Sequence, residues 1–159
     1  MIFVTIGTQA PFDRLIKTLD EIAPQLEMSI VAQVFETRYK AKNIETFDFL
    51  NPTDFQKYFY KSDLIISHAG MGTIISALQS EKPILILPRL ASLNEHRNDH
   101  QLATAKMFDK LNFINVSYNE SELIFKLRDM LNGELKPLHK IGPQASTTLI
   151  KSIENFINS

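Results

Sequence analysis

Short apolar runs alternate along the chain with longer segments that are apolar on one side only. Several of the short runs are continuous in Val, Ile and Leu, as in strands that helices cover on both faces. We therefore predict six β-strands, at residues 2–6, 29–34, 44–47, 64–67, 84–87 and 113–116.

The longer segments have the periodicity of amphipathic helices. The first opens near Pro11, a residue that suits a helix start, and its apolar positions run from Phe12 to Ala23. Strands that alternate with helices predict an α/β fold, a Rossmann-like doubly wound parallel sheet. The further predicted helices cover residues 54–61, 74–80, 98–110, 121–131 and, near the C-terminus, 141–157.

Composition narrows the possible functions. The 159 residues contain no evident linker and suit one domain over residues 1–159. The net charge is −1 and basic residues form no block, so we expect no nucleic-acid partner. The absence of cysteine excludes disulfides, thiolate metal sites and cysteine nucleophiles, and is compatible with the cytoplasm. No segment approaches the ~20 apolar residues that span a bilayer.

A polar turn, SHAGMGT at residues 67–73, lies between the fourth strand and the next helix. Gly70 and Gly72 allow a ligand to approach the backbone or allow positive φ, and a helix that starts here presents free N–H groups. With the hydroxyl of Thr73, these groups suit a diphosphate. The simpler interpretation is a tight turn in which Thr73 caps the helix.

Two common nucleotide motifs are absent from this turn. A dinucleotide fingerprint needs a third glycine where Ile75 stands, and it follows a first strand instead of a late one. No P-loop pattern occurs in the chain. His68, which ends the apolar strand, is either a half-buried structural histidine or a neutral ligand donor and candidate catalytic residue.

Two further polar segments follow predicted strands, where open α/β sheets bind ligands. The first strand is followed by Gly7, Thr8 and Gln9, whose backbone forms either a second hydrogen-bond donor site or a simple bend. The segment EHRNDHQ, residues 95–101, suits hydrogen bonds to ribose or sugar hydroxyls, or a solvated loop. Its two histidines are four residues apart, but no third metal ligand is evident, so we expect no metal. Arg89 can contact a phosphate or carboxylate.

Together, the segments IFVTIGTQAPFDRL, SDLIISHAGMGTIISAL, KPILILPR and NEHRNDHQLATA resemble the C-terminal, donor-binding domain of family 28 glycosyltransferases. The likeness extends from residue 1 to about residue 107 and is greatest to the small split subunits of that family. It implies one half of a GT-B fold, in which two Rossmann-like domains enclose the active site.

The resemblance also implies roles for individual residues. Gly70, Gly72 and Thr73 match the turn that holds the UDP diphosphate, and His68 begins that motif. His100 and Gln101 match positions that contact the ribose or the transferred sugar, and Gly7, Thr8 and Gln9 match the loop that faces the nucleotide. Larger relatives place a ribose-binding glutamate where this chain has Ser76, so ribose binding here uses Ser76, water or another residue.

The implied activity is inverting transfer from a UDP-sugar to a lipid-linked acceptor, in bacterial exopolysaccharide or capsule synthesis, with no cofactor. The acceptor-binding half is then a separate membrane-anchored partner, which holds the chain at the cytoplasmic face of the membrane. No convincing general base is evident, and the partner can supply it. The alternatives are a non-catalytic or regulatory UDP-sugar-binding module and a UDP-sugar epimerase or hydrolase.

Overall fold

A computed structural model describes residues 1–142 and shows one six-stranded sheet. All neighbouring strands are parallel, in the order β3-β2-β1-β4-β5-β6. The predicted α/β doubly wound sheet is thereby confirmed, with most strands one or two residues shorter than predicted. The strands are β1 (Ile2–Thr5), β2 (Ile30–Gln33), β3 (Glu45–Phe47), β4 (Leu64–Ser67), β5 (Ile84–Ile86) and β6 (Asn115–Val116).

Within residues 1–142, five α-helices connect and cover the strands. Side chains of alternate parity in β1 and β4 enter two separate apolar clusters, one on each face of the sheet. Helices α1 and α5 pack into one cluster, and α2, α3 and α4 pack into the other. The helices are α1 (Asp13–Ile22), α2 (Pro52–Lys61), α3 (Met71–Gln79), α4 (His100–Lys110) and α5 (Glu120–Asn132).

The helix boundaries differ from the predictions at functionally relevant places. Helix α3 begins at Met71 instead of residue 74, because Gly70 occupies the N-cap position with extended backbone angles. Thr73 therefore lies in the first turn, and its interpretation as the cap is wrong. Pro11 precedes α1 by two residues, with Phe12 at the N-cap. Most of the helix predicted at residues 141–157 lies outside the described residues.

The chain changes direction between β1 and β4, the two central strands. From β1 it proceeds outward through β2 and β3, then returns to pair β4 with the other side of β1. The Ser67 hydroxyl donates to the Thr5 carbonyl at 2.6 Å and joins the ends of the two strands. The loops that follow β1 and β4 diverge above this point, which opens a crevice at the carboxyl edge of the sheet.

None of the helices in residues 1–142 combines the length and the apolar character that crossing a lipid bilayer requires.

The buried carboxylate of Asp20 organises the connection between β2 and β3. Its oxygens accept hydrogen bonds from the backbone N–H groups of Lys42 and Asn43 and from the Tyr39 hydroxyl, at 2.6–2.9 Å. Burial disfavours the charged form, but these donors outweigh it and hold the pKa of Asp20 below its ordinary value of 3.8.

We expect Asp20→Asn to lower the free energy of unfolding by about 2–4 kcal/mol at pH 7, because an amide cannot accept every donor and its NH₂ opposes an N–H group. The neighbouring Glu21→Gln, on the exposed side of α1, should change it by less than ~0.5 kcal/mol. Urea denaturation measures both. The difference between wild type and Asp20→Asn should shrink as the pH falls below about 3.8, through the lower folded-state pKa. Equal free energies of unfolding for Asp20→Asn and Glu21→Gln would contradict the structural role of the Asp20 carboxylate.

Candidate functional site

A cleft of about 350 Å³ lies above the ends of β1 and β4. It brings together all of the predicted site residues except Ser76 and His100, which are exposed on α3 and α4. The contribution of each residue to ligand binding stays a prediction. The lining residues are Ile6, Gly7, Thr8, Gln9, His68, Ala69, Gly70, Gly72, Thr73, Arg89 and Gln101.

The N-terminus of α3 forms one wall of this cleft. Gly70 at the N-cap has no side chain with which to cap the helix, and the first intrahelical hydrogen bond of the turn runs from the Ile74 N–H to the Gly70 carbonyl. The N–H groups of Met71, Gly72 and Thr73 therefore have no intrahelical acceptor. They lie at the positive end of the helix dipole, an arrangement that attracts anions.

Gly70 and Gly7 are required because of the side chain of His68, a reason that the sequence did not indicate. Gly70 has a φ of −83°, and among the glycines of residues 1–142 only Gly7 has a positive φ, +75°. A Cβ on Gly70 would lie 2.3 Å from Cε1 of His68, and one on Gly7 would lie 3.0 Å from its Nε2. The imidazole of His68 thus occupies the space that side chains at both positions would need.

Gly72 differs from these two glycines because a Cβ there would meet no atom within 4 Å. Its Cα borders the open cleft. A side chain at this position would consequently fit the protein but extend into space that a bound ligand can use.

Arg89 lies beneath the cleft and is only 2% exposed. Its Nη2 donates to the carbonyls of Ile6 and Ala10, at 2.9 and 2.5 Å, and its Nη1 lies 3.5 Å from Nδ1 of His68. The guanidinium also stacks against the Phe12 ring, 5.1 Å from its centroid. Burial lowers the pKa of Arg89 to about 10, so the side chain carries its charge at neutral pH.

Burial and the nearby charge of Arg89 lower the pKa of His68 to about 4. The imidazole is therefore neutral at pH 7. Since an arginine can only donate, its contact with Nδ1 favours the tautomer with the proton on Nε2. This ring is suited to donate a hydrogen bond from Nε2, and is poorly suited to accept a proton there as a general base.

The second polar wall comes from α4 and the loop before it. Gln101 is largely buried, and its Oε1 accepts a hydrogen bond from the Arg89 N–H at 3.2 Å. Thr8 and Gln9 are exposed on the opposite side of the cleft. His96 contacts Asn98 at 3.1 Å. Within residues 1–142, no three His, Cys, Asp or Glu side chains lie close enough to hold a metal ion.

An ion-pair network next to the cleft was missed by sequence reasoning. Arg14 donates to both carboxylate oxygens of Glu95, at 2.6 and 2.8 Å, and to the Pro88 carbonyl at 3.0 Å. Glu95 also accepts from the Leu90 N–H at 3.0 Å. The loop that follows β5 is thereby tied to α1. The position of Glu95 in a polar segment was the only signal, because local patterns do not reveal a partner 81 residues away.

We expect Gly70→Ala to lower the free energy of unfolding by about 1–3 kcal/mol, because the new methyl group collides with a ring that Gly7 and Arg89 confine. Gly72→Ala is the matched control. It should leave the stability unchanged or raise it by up to ~1 kcal/mol, since alanine is the better helix former. Urea denaturation compares the two. A Gly70→Ala protein as stable as Gly72→Ala would show that the ring can move away freely.

Comparison with known proteins identifies the family of this chain. The chain is 33% identical over 129 residues to the UDP-N-acetylglucosamine transferase subunit ALG13 of Candida albicans, covering 72% of this chain and 42% of that protein. It is 30% identical over 120 residues to a UDP-N-acetylglucosamine--N-acetylmuramyl-(pentapeptide) pyrophosphoryl-undecaprenol N-acetylglucosamine transferase of Pelagibacter ubique, covering 70% of this chain and 32% of that protein. The chain thus spans less than half the length of these two relatives.

Solved structures share the fold at lower identity. The crystal structure of Acinetobacter baumannii MurG superposes with a TM-score of 0.70 at 18% identity, covering 98% of this chain and 49% of that one. The solution structure of ALG13 gives a TM-score of 0.57 at 21% identity, covering 96% and 93%. The family model of the glycosyltransferase family 28 C-terminal domain matches residues 1–155. This chain therefore belongs to glycosyltransferase family 28 and carries the C-terminal domain of that family.

Proposed function

We propose that this chain binds the donor in an inverting glycosyltransferase that moves a sugar from a UDP-sugar to a lipid-linked acceptor. The observation that carries the proposal is the N-terminus of α3, whose first N–H groups have no intrahelical acceptor and whose residues Gly72 and Thr73 line the same cleft as His68. Both of the relatives described above are named for UDP-N-acetylglucosamine, so this is the first donor to test.

The charges of the reaction fit this arrangement. Negative charge develops on the UDP diphosphate as the bond to the sugar breaks, and fixed N–H donors at a helix N-terminus stabilise it without rearranging. The buried charge of Arg89 adds a positive potential beneath the cleft. The neutral imidazole of His68 can donate a hydrogen bond from Nε2 to an oxygen of the UDP-sugar.

Deprotonation of the acceptor hydroxyl requires a base that the described part of the cleft does not offer. The pKa of His68 is about 4, and the lining residues include no carboxylate. We propose that a second, membrane-anchored subunit binds the acceptor, supplies or completes the base, and holds this chain at the cytoplasmic side of the membrane. The subunit character of ALG13, by its name, supports a two-component enzyme. Exopolysaccharide or capsule synthesis is the proposed context.

Titration calorimetry with UDP and UDP-N-acetylglucosamine tests donor binding. Thr73→Val removes the hydroxyl at constant shape and should weaken UDP binding about three- to tenfold if that hydroxyl contacts the diphosphate. Thr46→Val is the matched control, because Thr46 is exposed on the edge strand β3, three strands from β4. The Thr46→Val protein should bind UDP with the affinity of wild type. Gly72→Ala should weaken binding without loss of stability.

No binding of UDP or UDP-sugar at millimolar concentration would contradict the proposal if it persisted with the acceptor-binding partner present. Turnover distinguishes the remaining alternatives. Release of UDP without an acceptor or partner would indicate a hydrolase or epimerase. Binding without any turnover after the partner is added would indicate a regulatory module.

A further inference from the structure

We propose that Arg89 is a positioning residue of the donor cleft, which holds the loop after β1 in place and keeps His68 in the tautomer that presents Nε2–H to the ligand. This inference rests on the proposed function for the identity of the ligand, and on the contacts of Arg89 for the role itself. The separate expectation that Arg89 contacts the donor directly stays a prediction.

Arg89 holds the loop that follows β1. Nη2 of Arg89 donates to the carbonyls of Ile6 and Ala10, at 2.9 and 2.5 Å. These two carbonyls flank Gly7, Thr8 and Gln9, so one nitrogen fixes both ends of the segment that lines the cleft. A lysine at this position has a single ammonium without the planar fork of the guanidinium, and cannot reproduce these contacts together with the one to His68.

Arg89 also contacts the imidazole of His68. Nη1 of Arg89 lies 3.5 Å from Nδ1 of His68, a contact that favours an unprotonated Nδ1 and the proton of the neutral ring on Nε2. Nε2 lies 3.0 Å from the position that a Cβ on Gly7 would take, and 2.7 Å from the corresponding position on Gly70. It therefore lies between the two glycines that border the cleft.

Arg89 itself is almost fully enclosed by protein groups. It is 2% exposed, its Nη2 already has two acceptors, and its backbone N–H donates to Gln101 at 3.2 Å. The neighbouring carboxylate of Glu95 accepts its side-chain hydrogen bonds from Arg14 instead of Arg89. A buried guanidinium with these partners acts on the ligand through the groups that it orients.

The experiment reads the tautomer of His68 by NMR of ¹⁵N-labelled histidine in the protein without ligand, and UDP affinity by calorimetry on the same samples. His68→Gln identifies the His68 signal among the four histidines. In wild type we expect Nε2 protonated and Nδ1 unprotonated at pH 7. Arg89→Lys should give a mixture of tautomers and bind UDP about tenfold more weakly.

Arg128→Met is the matched control, because Arg128 is exposed and contacts Gln25, near the edge of the sheet opposite the cleft. It should change neither the tautomer nor the affinity. A wild-type His68 protonated on Nδ1, or charged at pH 7, would overturn the proposal without any variant. An Arg89→Lys protein that loses affinity while its His68 tautomer stays as in wild type would overturn the role of Arg89 toward the imidazole and support only its hold on the loop after β1.

The two readouts separate this proposal from the proposed function. If wild type does not bind UDP, but its Nε2–H tautomer is present and becomes mixed in Arg89→Lys, the positioning role is supported and the assigned ligand is wrong. If wild type binds UDP and Arg89→Lys changes neither readout, the positioning role is overturned and the assigned ligand stands.

Discussion

Strands β1 and β4 pair at the centre of the sheet, and the chain leaves their carboxyl ends in different directions. The two loops diverge at that point, and the cleft lies between them. The buried Ser67 hydroxyl joins the strand ends by its bond to Thr5. Every feature of the site depends on this pairing, because it determines how far the first loop lies from the N-terminus of α3.

Side chains pack densely in the space between the loops that follow β1 and β4. The imidazole of His68 fills the space between the loops, which excludes a Cβ at Gly70 and crowds one at Gly7. Arg89 lies below the ring and bonds to the loop after β1. Glycines therefore serve here to make room for a histidine, whereas Gly72 leaves room for a ligand. The same short motif contains both requirements, which explains its unusual mixture of small and polar residues.

Most of the fold could be predicted from the sequence, since continuous apolar runs and amphipathic segments report burial directly. All six strands lie where the apolar runs predicted them, and the positions that follow strands converge on one cleft. The reason for Gly70 could not be predicted, because it depends on the orientation of one side chain. The bonds of Arg14 to Glu95, and of Arg89 to Ile6, join distant segments that local patterns do not connect.

The family 28 assignment agrees with the chemistry of this cleft, in which backbone donors and a buried cation favour a bound anion. In the proposed function, the N-terminus of α3 holds the diphosphate of UDP. Titration of ¹⁵N-labelled protein with UDP tests it most directly, by the amide shifts of individual residues. We expect saturable shifts that are largest at Met71, Gly72 and Thr73. Saturable binding that leaves these three amides unshifted would contradict it.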